Sequence, residues 1–170
     1  MTEIQLHGVF LKIDSAGVLL TGAPGIGKSS IALGLIDRGH QLIADDLVIF
    51  NTLHNKLIGH CPMLLQDQLK IRSVELLNIR KLYGSSAISL EHGVDLIIHL
   101  ENTDTLDLIE GNYTTQTILE HSIPKITLSP DVKCNLALLV ECIVRNFQAR
   151  FSQKIESFVS SFNSEVSLCA

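Results

Sequence analysis

The chain is 170 residues long, a length for one domain. With 46% hydrophobic and 18% charged residues it carries enough apolar side chains for a core without disulfides or a structural metal. Its net charge of -5 argues against a general nucleic-acid binder, which is basic. Cys61, Cys134, Cys142 and Cys169 form neither a C-x-x-C pair nor a His/Cys cluster with zinc spacing, so they read as reduced thiols of a cytoplasmic protein. Glu3, Gln5 and His7 interrupt any apolar run at the start, so no signal peptide is expected. No stretch reaches the roughly 20 apolar residues of a membrane span.

In chain order, the start reads as β structure. Val9 to Ile13 alternates loosely, Asp14-Ser15-Ala16-Gly17 is a turn, and Val18-Leu19-Leu20 is a buried-strand run. Thr21 to Gly27 is rich in glycine and proline and breaks regular structure. Ser29 to Arg38 has helical periodicity through Ile31, Leu35 and Ile36, with Gly39 as its C-terminal stop. Gln41 to Phe50 is a second strand region, interrupted by Asp45-Asp46. Strands or short helices fill 56–90. Val94 to Leu100 and Pro124 to Leu128 are further strands, and Asn135 to Phe151 is long and apolar enough for a buried helix. A last amphipathic segment carries Ile155, Phe158, Val159, Phe162 and Val166 at helical spacing. Strand, loop, helix and strand in succession predict an α/β domain over 1–152, followed by a separate amphipathic segment over 153–170.

Gly22-Ala23-Pro24-Gly25-Ile26-Gly27-Lys28-Ser29 fits the pattern G-x-x-x-x-G-K-[ST]. Glycines at this spacing let successive backbone N–H groups point at phosphate oxygens. The helix that follows presents its positive end to the same anion. Lys28 adds a cation for the β- and γ-phosphates, and the Ser29 hydroxyl is a ligand for Mg²⁺. The position between a predicted strand and a predicted helix is the context the motif requires. The nucleotide-binding run is therefore Gly22 to Ser29 with Ser30 beside it, and the expected ligands are ATP and Mg²⁺.

Asp45 and Asp46 follow Leu42-Ile43-Ala44. If that strand runs parallel to the phosphate-loop strand, its carboxyl end faces the same crevice. One carboxylate would then hold Mg²⁺ and the other would take a proton from an attacking hydroxyl. Successive strand residues point to opposite faces, so the two should not share a role. Like-charged neighbours raise one another's pKa, which suits a general base. The competing reading is a polar turn between two strand pieces.

At this point the chain resembles a known family. His7-Gly8-Val9, Gly17 to Gly22, Gly25 to Ser29 and Arg38-Gly39-His40-Gln41-Leu42-Ile43-Ala44-Asp45-Asp46 look like the catalytic C-terminal domain of bacterial HPr kinase/phosphorylase. The likeness continues more weakly through Ile71-Arg72, Leu82-Tyr83-Gly84, Ile98 to Glu101, Pro124-Lys125-Ile126 and Asn135-Leu136-Ala137. The resemblance is to a short, divergent form without the family's amino-terminal half. It implies a P-loop-containing mixed sheet with flanking helices, of the HPr kinase/PEP carboxykinase type. It also implies an ATP-dependent kinase for a serine of HPr, a reverse phosphorolysis and a hexamer. Carried over residue by residue, Asp46 is the acid/base, Lys28 the phosphate lysine and His7 a histidine near the phosphate. The expected catalytic set is Asp46, Asp45, Lys28 and His7, and the expected metal ligands are Ser29 and Asp46.

The chain also departs from the family pattern. Lys70, within Leu69-Lys70-Ile71-Arg72-Ser73, stands where the resemblance expects a metal-binding Glu. Asn78 replaces an Asp, Cys134 replaces an Arg, and the segment near Leu108 lacks an expected arginine. These losses fall in parts linked by the resemblance to the phosphorylase reaction. His99, inside an apolar strand, reads as a satisfied core histidine rather than a ligand. Arg72 reads equally as a phosphate contact or a surface ion pair. Two further readings stand beside the serine kinase: a P-loop kinase for a small metabolite, and a nucleotide-binding regulator that has lost catalysis. The span 102–123 contains no Arg or Lys, which weighs against the arginine-rich lid of the former.

Overall fold

The computed structural model describes residues 2–72, 74, 76–102, 113–131 and 133–150. Its strands are β1 (Glu3–His7), β2 (Val9–Ile13), β3 (Ala16–Gly22), β4 (Gln41–Ala44), β5 (Leu47–Leu53), β6 (Lys56–His60), β7 (Gln68–Lys70), β8 (Leu76–Asn78), β9 (Glu91–Gly93), β10 (Leu96–Leu100), β11 (Thr114–Ile118) and β12 (His121–Leu128). The helices are α1 (Lys28–Asp37), the short α2 (Ile79–Tyr83) and α3, over 136–150.

Six strands form a mixed sheet in the order β11-β12-β10-β3-β2-β4. β3, β10 and β12 are parallel, with β10 in the middle. β2 is antiparallel to both β3 and β4, so β4 runs in the same direction as β3, two places away. The carboxyl ends of β3, β4, β10 and β12 therefore share one edge of the sheet. Four more strands form an antiparallel sheet in the order β1-β5-β6-β9, and β7 pairs with β8 as a ribbon.

Residue type explains these layers. β3 and β10 are near-continuous apolar runs, as strands covered on both faces must be. On one face, Leu11, Val18, Leu20, Leu96 and Ile98 pack with Ile31, Ala32 and Leu35 of α1 and Val140 and Val144 of α3. On the other, Phe10, Leu19 and Ile97 pack with Val48, Phe50 and Leu57 of the antiparallel sheet. The expected flanking helices thus lie on one face, and a second sheet covers the other. β1 and β11 have no separate place in the sequence reading. Both are edge strands with alternating or polar side chains, so they lack the apolar signature of a core strand.

α1 ends as Gly39 predicts. Gly39 adopts φ +95, its N–H donates to the Ile36 carbonyl at 2.9 Å, and the His40 N–H donates to the Leu35 carbonyl at 3.1 Å. Behind this turn, the buried Glu141 of α3 accepts from Arg38 and from Arg145 Nη2, the latter at 2.6 Å. Arg145 Nε also donates to Asp14 at 3.1 Å. The Arg38 hydrogen bond, foremost, holds the Glu141 carboxyl below its usual range. These ion pairs fasten α3 to the end of α1 and to the β2–β3 turn. The expected segment over 153–170 and the span around Leu108 lie outside the described residues.

Candidate functional site

The phosphate loop leaves β3 at Gly22 and enters α1 at Lys28. Gly25 and Gly27 take φ +81 and +110, conformations that side chains resist. Gly27 is the N-cap of α1 and has no side chain to cap it, so the first helical amides stay available to an anion. Lys28 folds back over the loop, and its Nζ donates to the carbonyls of Gly22 at 2.9 Å and Ala23 at 3.0 Å. Pro24 and Ile26 complete the turn, with the Ile26 N–H on the Ala23 carbonyl at 3.3 Å, and Ser30 lies one residue into the helix after Ser29. The Arg72 guanidinium lies against the loop, its Nη1 2.8 Å from the place a Cβ on Gly25 would take.

The two aspartates sit where β4 ends and the chain crosses to the other sheet. Asp45 is buried, at 7% exposure. Its Oδ1 accepts from the Ser29 hydroxyl at 3.1 Å, and its Oδ2 accepts from the backbone N–H of Lys70 at 2.7 Å. Burial raises its pKa above the ordinary value, while the Lys70 and Ser29 hydrogen bonds oppose the rise. The negative charge of Asp46 adds to the rise but is the smallest of its causes.

Asp46 turns the other way. It adopts φ +68 and its side chain is 74% exposed. Its carbonyl accepts from the Gly8 N–H at 3.2 Å and lies 3.0 Å from His7 Nδ1, whose ring is 3.6 Å from the Asp46 carboxylate. The structure therefore brings Lys28, Ser29 and Asp45 together, with His7 and Asp46 as a second, solvent-open pair beside them. The sequence expectation paired Ser29 with Asp46 at the metal. The hydroxyl instead meets Asp45, because consecutive side chains diverge and the left-handed turn at Asp46 carries its carboxylate outward.

Oxygen donors of this kind fit Mg²⁺, which takes one or two carboxylates, a hydroxyl and substrate phosphates rather than an all-protein cage. Ser29 with the Asp45 carboxylate behind it supplies those donors on the protein side. Burial, and then the charges of Asp67 and Asp45, push the Cys61 thiol up to about 11, which disfavours the thiolate there.

A family model described as HPr Serine kinase C-terminal domain matches residues 1–165. The chain belongs to this family. It is 43% identical over 145 residues to the HPr kinase/phosphorylase of Bordetella avium, covering 83% of this chain and 47% of that protein. It is 37% identical over 150 residues to the HPr kinase/phosphorylase of Lactobacillus acidophilus, covering 86% and 47%. The chain thus spans about half the length of these relatives. The structure reported for the Hpr(Ser) kinase/phosphatase from Coxiella burnetii superposes with a TM-score of 0.85 at 37% identity, covering 91% of this chain and 96% of that one.

Within this HPr kinase fold, two contacts escaped the sequence reading. The hold of Lys70 on Asp45 is made by its backbone, which carries no side-chain signature, while the Lys70 side chain is exposed. His99 is half-buried and satisfied, as its reading had it, and the partner the sequence could not name is Thr21, at 2.9 Å between Nδ1 and Oγ1. Asn78 acts locally, capping α2 by accepting from the Lys81 N–H at 2.9 Å. Among the described residues, no helix is long and apolar enough to cross a membrane.

Proposed function

We propose that this chain is an ATP-dependent protein serine kinase that phosphorylates HPr or a similar small protein, acting in the cytoplasm as a homo-oligomer, a hexamer by family resemblance. The observation that carries the reading is one continuous site: a phosphate loop, a part-buried hydroxyl–carboxylate pair and an exposed carboxylate converge at one edge of the sheet.

In this mechanism the loop amides and α1 hold the triphosphate, and Lys28 exchanges its two loop carbonyls for phosphate oxygens. Ser29, backed by Asp45, would hold Mg²⁺, which when bound would supply positive charge against the phosphates. Asp46 takes the proton of the acceptor serine as that oxygen attacks the γ-phosphorus, and ADP leaves. The exposure of Asp46 supports this role, because a serine on another protein must reach its base. His7, against the Asp46 carbonyl, steadies the turn that aims the carboxylate.

Lys70 favours weak metal binding. A cation stands where the resemblance expects a ligand carboxylate, so the kinase needs high Mg²⁺ and its phosphorylase reaction, which gathers two anions in one site, is slight. The same residue supports a second reading, a nucleotide-binding regulator without turnover. Incubation with labelled ATP and HPr tests both, with release of label from phosphoserine-HPr assayed alongside. Label on HPr supports the kinase. ATP binding without label on HPr moves the assignment to the regulator.

A further inference from the structure

β10 ends against the beginning of the phosphate loop. The parallel register sets His99 beside Thr21 and Leu100 beside Gly22. The His99 ring meets the Thr21 hydroxyl at 2.9 Å. One residue on, a Cβ on Gly22 would collide with the Leu100 carbonyl oxygen, and Gly22 turns away at φ +137. The Gly22 and Ala23 carbonyls then hold Lys28 Nζ. A chain of contacts therefore runs from the His99 ring through Thr21 and the first loop carbonyls to the lysine.

The setting argues that the ring is there for its nitrogen. Leu96, Ile97, Ile98 and Leu100, its strand neighbours, are fully or almost fully buried aliphatics. Packing alone would be served by another of these. A half-buried imidazole loses solvation, which the Thr21 hydroxyl offsets. The charges of Lys28 on α1, Lys125 on β12 and Glu101 just after β10 act on the ring.

We propose that His99 is a positioning residue for the nucleotide phosphates: through Thr21 it sets the first turn of the phosphate loop and so the resting place of Lys28. This rests on the nucleotide-binding part of the reading above. The His99 ring reaches the loop through Thr21 without itself touching phosphate.

The test measures Mg²⁺–ATP dissociation constants by calorimetry, with KM and kcat alongside, for the unmutated chain, His99→Leu, His99→Asn, Thr21→Val and the Thr21→Val/His99→Leu double variant. Leu fills the strand position without a polar atom, whereas Asn restores one close to Nδ1. His99→Leu should weaken ATP binding about fivefold, the worth of one net hydrogen bond, with the loss falling on Kd and KM more than on kcat. Asn should recover affinity to within about twofold, and the double variant should bind no worse than the weaker single. A folded His99→Leu with unchanged ATP affinity overturns the proposal, as does an Asn variant as weak as Leu, or single effects that simply add. Thr21→Val probes the same bond from β3 and decides the matter should His99→Leu fail to fold. An unmutated chain that binds no ATP overturns the nucleotide reading itself, an outcome distinct from binding that ignores His99.

Discussion

Replacing Asp45 with Asn should separate the metal function proposed for this residue from its place in the fold. Its two oxygens accept from the Ser29 hydroxyl at 3.1 Å and the Lys70 N–H at 2.7 Å. An Asn can leave its carbonyl oxygen on the Lys70 N–H and turn its NH₂ toward Ser29, whose hydroxyl also accepts. Both contacts survive, and the desolvation that raises the Asp45 pKa no longer opposes folding. Stability should stay within about 1 kcal/mol of the unmutated chain, the net worth of a single hydrogen bond. Asp45→Ala, by contrast, leaves the Lys70 N–H without its partner and should cost about 1–3 kcal/mol. Both variants remove the charge behind Ser29, and loss of such a supporting group weakens metal affinity about 10–100-fold. Urea unfolding gives the stabilities, and a Mg²⁺ titration of ATP-dependent phosphotransfer gives the metal requirement. A stable Asp45→Asn chain with an unchanged Mg²⁺ midpoint would refute the assignment of Asp45 to the metal.

Lys28→Ala should abolish the rise in Tm that Mg²⁺–ATP gives the unmutated chain while barely moving the Tm without ligand, since among the described residues the hydrogen bonds of Lys28 Nζ go to two loop carbonyls; thermal melts with and without nucleotide check this. Asp46→Asn should cut phosphotransfer by about 10²–10⁴ with ATP affinity nearly intact, because Asn tolerates the φ +68 turn but cannot take the proton; single-turnover assays beside calorimetry read both quantities. Burial, then Lys125 and Lys28, hold the His99 pKa below its ordinary 6.5 against the pull of Glu101. The unfolded chain therefore binds this proton first, so the stability His99 contributes is full above pH 6.5 and is lost as pH falls toward the folded value. His99→Asn should flatten that part of the stability–pH curve, measured as urea midpoints between about pH 5 and 7.

The phosphate loop was legible because its chemistry lies in the spacing itself: the glycines, Lys28 and Ser29 are named by the positions the anion demands. β3 and the end of α1 were legible for a related reason, since an apolar run and a glycine at φ +95 are local solutions to burial and to helix termination. The direction of β4 could be guessed, but the antiparallel β2 between it and β3 could not, because register depends on partners distant in sequence. The β7–β8 ribbon left no usable pattern, and its decisive contribution, the Lys70 N–H on Asp45, belongs to the backbone. His99 stood out as polar among aliphatics, yet only the register with β3 identifies Thr21 as its partner. The Arg38–Glu141 and Asp14–Arg145 ion pairs join α3 to residues over a hundred positions earlier, beyond any local signal.

The division of labour proposed for the two aspartates follows from where the chain changes sheets. Asp45 continues β4 to the edge of the six-stranded sheet, so its carboxylate stays in the crevice with Ser29. The chain must then leave for β5 in the other sheet, and it does so at Asp46: the Leu47 N–H closes back on the Asp45 carbonyl at 2.9 Å, and the Asp46 carbonyl is held by Gly8 and faced by His7, where β1 gives way to β2. This crossing, with φ +68 at Asp46, lifts the second carboxylate out of the crevice into solvent. Asp is among the few residues that accept such a backbone readily. A β-branched residue at 46 would therefore remove both the base and the turn, whereas Asn removes the base alone. On this argument the buried carboxylate proposed for the metal and the exposed one proposed as base are two consequences of one sheet-to-sheet crossing, and the His7–Gly8 junction that secures the crossing belongs to the proposed site as much as the phosphate loop does.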